Sequence, residues 1–329
     1  MSTFKAFRIH QQGDGVAAGF EQMRVEELTP GEVVIKVRYS DINYKDALAA
    51  TGAGKILRKY PLNGGIDLSG VVESSSDERY RPGQEVLVTG CSLSETFDGG
   101  YAEYARVAGD SVIPLPEGLN LFEAMALGTA GFTAALAIHR MEHNGLEPSK
   151  GPVVVTGATG GVGSIAIDML AGRGYEVVAV SGKADQDDYL EALGAARILR
   201  RQDIDYGKRP LEAAQWAGAI DNVGGEMLTW LTRTMDLWGS IASIGLAGSH
   251  KLETTVMPFI LRGVNLLGIN SSATPRPVRL VVWKRISTDL KPRHFDRLVT
   301  RTIGFDELPG AFGDYLEGRV TGRTVVEIA

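Results

Sequence analysis

The chain has 329 residues, enough for about two domains, and its 44% hydrophobic and 22% charged residues are typical of globular proteins. The 34 basic and 40 acidic side chains give a net charge of −6, which argues against a nucleic-acid partner. The single cysteine excludes an intramolecular disulfide, and no apolar signal segment opens the chain. We therefore expect a cytoplasmic protein.

The first third of the chain is rich in short β-type segments separated by turns such as Pro30-Gly31, Arg81-Pro82-Gly83 and Gly99-Gly100. This pattern of short strands and turns predicts an antiparallel, barrel-like unit. The predicted strands are Val33–Val37, Gly70–Glu73, Glu85–Val88 and Tyr101–Tyr104.

The most apolar window follows at Leu119–Ile138. Glycine, threonine, asparagine and glutamate residues interrupt it, whereas a bilayer span needs about 20 mostly apolar residues. The window therefore predicts a buried helix, and we expect no membrane partner.

Beyond Leu121 apolar strands alternate with helical stretches, which predicts a doubly wound parallel α/β sheet that binds a dinucleotide. The predicted strands are Val153–Thr156, Val177–Val180, Ala196–Leu199, Ala219–Asn222, Ser240–Ile244 and Val264–Ile269. The predicted helices are Ser164–Arg173, Asp185–Leu193, Met227–Met235 and, after Ser271, Val278–Leu290.

A glycine-rich turn directly follows the first of these parallel strands. Glycines stand at 157, 160, 161 and 163, and a predicted helix begins immediately afterwards. Such glycines permit a sharp exit from the strand and a close approach of the backbone to a pyrophosphate, whose charge the helix N-terminus favours. The spacing is G-x-x-G-x-x-G rather than the commoner G-x-G-x-x-G. The strand–turn–helix context nevertheless favours a dinucleotide site over an ordinary turn.

The end of the second parallel strand indicates which dinucleotide binds. An NAD-binding chain usually carries an acidic residue there, but this chain has Ser181-Gly182-Lys183. A hydroxyl and a cation suit a 2′-phosphate, so we expect NADPH rather than NADH. Arg197, Arg200 and Arg201 border the third strand and either add to this pocket or form a solvated edge.

Metal and nucleophile motifs are missing from the sequence. The five histidines are scattered, and the His139/His143 pair has no supporting cysteine or glutamate at ligand spacing. No serine occupies a G-x-S-x-G turn. We therefore expect no metal and assign the chemistry mainly to the cofactor.

A β-rich N-terminal part, a parallel sheet opened by this glycine turn and a return segment together resemble the medium-chain dehydrogenase/reductase superfamily. The resemblance implies a GroES-like substrate domain (1–124 and 271–329) and a Rossmann domain (125–270). Zinc-dependent members carry a cysteine where this chain has Asn43 and a histidine where it has Ile66. The chain is therefore similar to the zinc-free, quinone-oxidoreductase-like branch.

Within that branch three stretches resemble the acryloyl-CoA reductase (NADPH) family: Asn43–Ala49, Val180–Lys183 and Val256–Arg262. The resemblance implies a short 2-enoyl-CoA substrate and a homodimer, for which the apolar Val264–Ile269 is a candidate edge strand. It also implies cofactor contacts. We expect these at Tyr44, at Gly157, Thr159, Gly160, Gly161 and Val162, at Ser181, Gly182 and Lys183, at Arg197 with Arg201 as the alternative, and at Leu246, Ile260 and Ser271.

The implied reaction transfers the NADPH hydride to the β-carbon of the acryloyl thioester, builds charge on the thioester oxygen and protonates the α-carbon. In this hypothesis Tyr44 positions the nicotinamide or donates the proton. Asn43 donates to the carbonyl or only caps the turn, and Asp46 acts directly or only orients Lys45 and backbone amides. The alternatives are a quinone or enone reductase and a non-catalytic NADPH-binding protein.

Overall fold

The computed structural model describes residues 3–329, and the chain divides into two compact units. Unit 1 comprises the chain up to Thr129, Ser271–Ser287 and Val299–Ala329. Unit 2 comprises Ala130–Asn270 and Thr288–Leu298. The first division thus falls after Thr129 rather than after residue 124, and a short segment that the sequence analysis placed in the first domain belongs to unit 2.

Strands dominate the N-terminal part of the chain, and helices alternate with strands in its middle. The first elements are β1 (Phe4–Gln12), β2 (Gly15–Met23), β3 (Val33–Asp41), α1 (Tyr44–Thr51), β4 (Leu62–Asn63), β5 (Asp67–Ser75), β6 (Glu85–Thr89), β7 (Tyr104–Val107) and β8 (Ile113–Pro114). The middle elements are α2 (Leu121–His143), β9 (Val153–Thr156), α3 (Gly161–Gly172), β10 (Val177–Ser181), α4 (Asp187–Ala192), β11 (Arg197–Arg200), β12 (Trp216–Asp221), α5 (Gly225–Thr234), β13 (Met235–Ser243), α6 (Met257–Arg262) and β14 (Asn265–Gly268). The last elements are α7 (Arg276–Ile286), α8 (Phe295–Leu298), β15 (Val299–Gly304), α9 (Leu308–Leu316) and β16 (Arg323–Glu327).

Unit 1 is built from two sheets, and the predicted β-rich architecture is confirmed. One sheet has the order β2-β1-β4, and the other has the order β15-β16-β3-β5-β6-β8 with β7 paired to β3. Alternate residues of β3 and β5 enter a shared apolar core that includes Ile35, Leu68 and Tyr101. The predicted strand Tyr101–Tyr104 begins only at Tyr104, because the preceding residues bridge to β1 instead.

Unit 2 contains a six-stranded parallel sheet of order β11-β10-β9-β12-β13-β14, which confirms the doubly wound, Rossmann-type prediction. Every residue of β9 and β12 is buried, as expected for central strands covered on both faces. The strand order reverses at β9, between β10 and β12. Ligands of such sheets bind beyond the carboxyl ends of the strands at this point.

Helix α2 confirms the buried helix predicted from the apolar window. It bends at Gly128, whose φ of 52° and ψ of −151° are not helical. Its length and composition would suffice to cross a bilayer, but 78% of its most apolar window is buried inside the protein.

The segment 288–298 joins unit 2 through a buried carboxylate on α3. Asp168 accepts a hydrogen bond from the Arg293 amide at 2.8 Å, and His294 Nδ1 lies 2.6 Å from its other oxygen. Because Asp168 is fully buried and both of its oxygens have partners, this contact anchors the segment to α3. No local sequence pattern indicates a pairing across 126 positions.

Candidate functional site

The glycine-rich turn lies at the carboxyl end of β9, where the sequence analysis placed it. Gly157 has a φ of +60°, and Gly160 precedes the first turn of α3. A Cβ on Gly163 would lie 2.9 Å from Ala158 Cα and still closer to the Gly157 carbonyl oxygen, so α3 packs directly onto the turn. The amides of the first helical turn make no intrahelical hydrogen bond, which leaves them available to a pyrophosphate.

A polar turn, Ser181–Lys183, ends the neighbouring strand β10. Ser181 is buried, and its hydroxyl accepts a hydrogen bond from the Lys183 amide at 3.0 Å. The Arg201 guanidinium lies 3.6 Å from the position a Cβ on Gly182 would occupy. Burial lowers the pKa of Lys183, because the ammonium loses part of its hydration. The turn therefore combines a hydroxyl, an ammonium and a guanidinium, which fits a phosphate monoester.

The other two arginines of this region have acidic partners. Arg200 forms an ion pair with Asp187, with a Nη1–Oδ1 distance of 2.7 Å. Arg197 lies 3.3 Å from Glu176 and pairs in register with Val178, at the opposite end of β10 from Ser181. The structure therefore brings Arg201 to the polar turn and does not bring Arg197 there.

The remaining predicted cofactor residues are distributed over both units. In unit 2, Leu246 and Ile260 are 66% and 71% exposed, and Leu246 lines a cavity of about 190 Å³ beyond the ends of β12 and β13. Thr159 is nearly buried in the glycine-rich turn, and Val162 lies in the first turn of α3. Ser271 belongs to unit 1, where its carbonyl accepts a hydrogen bond from Arg279.

A network at the ends of β9 and β12 fixes the exit into the glycine-rich turn. Thr156 donates its hydroxyl to buried Asp221 at 2.7 Å and accepts the Asn222 amide at 3.0 Å. The other Asp221 oxygen accepts the amide of Gly224 at 2.9 Å. Burial raises the pKa of Asp221, and these hydrogen bonds oppose the rise. No sequence signal marks this aspartate, because it lies at the end of an apolar strand.

In unit 1, helix α1 presents Tyr44 at its N-terminus. Tyr44 is 52% exposed, whereas Asp46, two positions later, is buried. One oxygen of Asp46 accepts the Asn43 amide at 2.8 Å, and the other accepts the Ile66 amide at 2.9 Å. Burial raises the pKa of Asp46 to about 7, against these hydrogen bonds. Asp46 therefore orients backbone, while the phenol ring of Tyr44 is accessible.

Half-buried Asn43 contacts three buried charged side chains, and we call these four residues the acid–arginine cluster: Asp41, Asn43, Asp67 and Arg323. The Asn43 carboxamide donates to Asp41 at 2.7 Å and to Asp67 at 2.9 Å. Arg323 donates to Asp41 at 2.6 Å and to the carboxamide Oδ1 of Asn43 at 3.3 Å. Both N–H groups of the carboxamide are thus committed inside the protein, which favours a structural role for Asn43 over donation to a substrate carbonyl.

Burial and the nearby charge of Asp67 raise the pKa of Asp41 well above its ordinary value, and Arg323 opposes this rise. Asp67 is held separately, because Thr129 donates its amide at 2.7 Å and its hydroxyl at 2.6 Å. Neither Arg323 nor Thr129 is marked by a motif in the sequence. Arg323 lies 280 positions from Asn43, and no local pattern marks such a contact.

By the resemblance given in the sequence analysis, this cluster occupies the segments that carry metal ligands in zinc-dependent dehydrogenases. Asn43 replaces the cysteine and Ile66 replaces the histidine, and the neighbouring carboxylates are engaged by Arg323, Asn43, Thr129 and backbone amides. Within residues 3–329, no group of three or more His, Cys, Asp or Glu side chains is arranged to hold a metal ion.

Two family models match the chain. Residues 29–117 match the alcohol dehydrogenase GroES-like domain, and residues 161–287 match the zinc-binding dehydrogenase model. A GroES-like unit combined with a Rossmann-type unit defines an oxidoreductase of the medium-chain dehydrogenase/reductase superfamily.

Similar proteins define the family more narrowly. The acrylyl-CoA reductase AcuI of Ruegeria pomeroyi is 49% identical over 94% of each chain. The putative quinone oxidoreductase YhfP of Bacillus subtilis is 49% identical over the full length of both. The YhdH oxidoreductase of Salmonella enterica, solved with NADP, is 45% identical, with a TM-score of 0.95 over 99% of this chain and 100% of that one. The chain belongs to the family that contains AcuI and YhfP.

Proposed function

We propose that this protein reduces the C=C bond of acryloyl-CoA to propanoyl-CoA with NADPH. The observation that carries the proposal is the polar turn of Ser181, Lys183 and Arg201, together with the close similarity to AcuI, which is named for this reaction. NADPH, when bound, supplies the hydride that the β-carbon of the thioester receives. The similarity to YhfP supports a second candidate, reduction of quinones or enones.

The cofactor assignment rests on the residues of unit 2. The glycine-rich turn leaves backbone amides for the pyrophosphate, and the polar turn offers a guanidinium and an ammonium for the 2′-phosphate. Relatives of this family have been solved with NADP and, for YhfP, with NAD. An acidic residue that would bind the ribose 2′-hydroxyl of NAD is missing from 181–183.

The roles of the residues in unit 1 follow from their surroundings. Tyr44 is the exposed polar aromatic side chain of α1, and we assign it the positioning or protonation of the reacting groups. Asn43 and Asp46 are positioning residues, because their polar atoms are occupied by the acid–arginine cluster and by backbone amides. They fix the backbone from which Tyr44 projects.

The test follows the absorbance of the nicotinamide at 340 nm. We expect acryloyl-CoA to oxidise NADPH rapidly, crotonyl-CoA to be reduced more slowly, and NADH to be used poorly. Rapid turnover of a simple quinone without turnover of either thioester would contradict the proposal and favour the second candidate. NADPH binding without turnover of any of these substrates would indicate a non-catalytic protein.

Two variants in the same assay test the role of Tyr44. We expect Tyr44→Ala to lower kcat/KM for acryloyl-CoA about 100-fold, the scale of general acid–base effects, while stability changes by less than about 0.5 kcal/mol. Tyr44→Phe retains the ring and loses the hydroxyl, so it separates positioning from proton donation. An unchanged kcat/KM in Tyr44→Ala would exclude this role.

We also infer a homodimer that pairs copies along β14, the last strand of the unit 2 sheet. Within residues 3–329 β14 pairs with β13 alone, and Leu266 on it is 37% exposed. Such an edge offers unpaired backbone groups to a second copy. Sedimentation equilibrium should give a dimer for the wild type and for Leu280→Asp, an exposed leucine of unit 1, but a monomer for Leu266→Asp. A monomeric wild type would refute the inference.

A further inference from the structure

A basic loop begins after helix α1, separated from its end by three residues. The five residues Lys55–Lys59, which we call the basic loop, contain Lys55, Arg58 and Lys59, and all three side chains are exposed. Among residues 3–329 none of them forms an ion pair with a carboxylate. In a chain of net charge −6 this loop is therefore a local concentration of uncompensated positive charge.

The loop is held in place by its backbone and by its one buried side chain. Leu57 is 7% exposed, and the Arg58 amide donates to the Glu95 carbonyl oxygen at 2.7 Å. The carboxylate of Glu95 is itself engaged by Lys45 at 2.6 Å and does not neutralise the loop. The three cations thus lie on a fixed backbone and face solvent.

An exposed aromatic ring lies next to these cations. Phe97 is 42% exposed, and the Lys59 ammonium is 5.6 Å from the centroid of its ring. The backbone hydrogen bond from Arg58 to Glu95 keeps the two segments together. Cations beside an accessible aromatic face are the combination that binds a nucleotide, with the phosphates on the cations and the base stacked on the ring.

We propose that the basic loop and Phe97 bind the 3′-phosphorylated adenosine diphosphate of the CoA substrate. This inference rests on the proposed function. The loop and Tyr44 lie on segments that Glu95 connects, because its carbonyl oxygen accepts the Arg58 amide and its carboxylate pairs with Lys45, the residue after Tyr44. The pantetheine arm would span from a thioester at Tyr44 to a nucleotide on the loop. The loop therefore determines specificity for CoA esters and takes no part in the chemical step.

The kinetic test compares two thioesters that differ only in the nucleotide, acryloyl-CoA and acryloyl-pantetheine. We expect Lys55→Gln/Lys59→Gln to raise KM for acryloyl-CoA about tenfold with little change in kcat, and to leave KM for acryloyl-pantetheine and for NADPH unchanged. The control Arg24→Gln/Arg81→Gln removes two exposed charges elsewhere on unit 1 and should match the wild type. An unchanged KM for acryloyl-CoA, or an equal rise for both thioesters, would overturn the inference.

A binding measurement tests the loop independently of turnover. Adenosine 3′,5′-bisphosphate is titrated calorimetrically into the protein with its nicotinamide site saturated by NADP⁺. Binding by the wild type and by Arg24→Gln/Arg81→Gln, but not by Lys55→Gln/Lys59→Gln, would support the site. No binding by the wild type, or equal binding by all three, would overturn it. Failure of the proposed function would appear differently, as no turnover of acryloyl-CoA by the wild type.

Discussion

Replacing both Lys183 and Arg201 by alanine is expected to raise KM for NADPH about 100-fold and to leave KM for NADH unchanged. A charge-assisted hydrogen bond contributes about 1.5–3 kcal/mol, and we take the low end of that range because Arg201 is exposed and Lys183 is only half-buried. Only NADPH carries the 2′-phosphate that they would bind. Steady-state kinetics with each cofactor at saturating acryloyl-CoA measure the effect.

Arg197→Ala is the matched control, because Arg197 is paired with Glu176 away from the polar turn. We expect it to change neither KM, whereas Arg201→Ala alone should raise KM for NADPH about tenfold. A larger effect from Arg197→Ala than from Arg201→Ala would show that Arg197, and not Arg201, binds the 2′-phosphate. An equal loss with NADH would show that the polar turn acts on the fold rather than on the phosphate.

The largest loss of stability is expected for Gly128→Ala. A Cβ at this position would lie 2.7 Å from Asp67 Oδ2 and well inside the contact distance of Asp41 Oδ2, and φ is +52°. Backbone strain and overpacking of a buried charge cluster each cost about 1–3 kcal/mol, so we expect a loss of about 4 kcal/mol. Thermal and urea unfolding measure this loss of stability. A variant recovered only as aggregated protein would also indicate a loss of this size.

Gly313→Ala is the matched control for this substitution. Gly313 lies in the interior of α9, has an ordinary φ, and no atom comes within 4 Å of a Cβ built on it. Alanine is a better helix former than glycine, so this variant should gain about 0.5–1 kcal/mol. If both variants unfolded at the wild-type midpoint, the tight packing around Gly128 would be refuted.

The parallel sheet and its turn could be predicted because their signals are local. The strand Val153–Thr156 has the predicted bounds, since a run of β-branched residues ends at a glycine. The predicted strand Val264–Ile269 is one residue shorter at each end, as is usual for element boundaries. The choice among Arg197, Arg200 and Arg201 was not local, because it depends on acidic partners from other elements.

The contacts of the acid–arginine cluster could not be predicted from the sequence pattern. Asn43 was a candidate because of its place beside Tyr44, but its engagement depends on Arg323 near the other end of the chain. Gly128 lies in the apolar window Leu119–Ile138, which predicted only a buried helix. Its neighbours Asp41 and Asp67 come from separate strands, and their approach is a property of the packed sheet rather than of any segment.

The position of β16 has a consequence for synthesis of the protein on the ribosome. This strand, Arg323–Glu327, lies inside the larger sheet of unit 1, between β15 and β3. The ribosome emits the chain from its N-terminus at roughly 5–20 residues per second, so β3 emerges long before its neighbour exists. The larger sheet of unit 1 therefore cannot be completed until residue 327 has emerged from the ribosome. Until then, the edge of β3 that β16 will cover is exposed, and Asp41 lacks its ion pair with Arg323. Chaperones that shield strand edges would act on this interval.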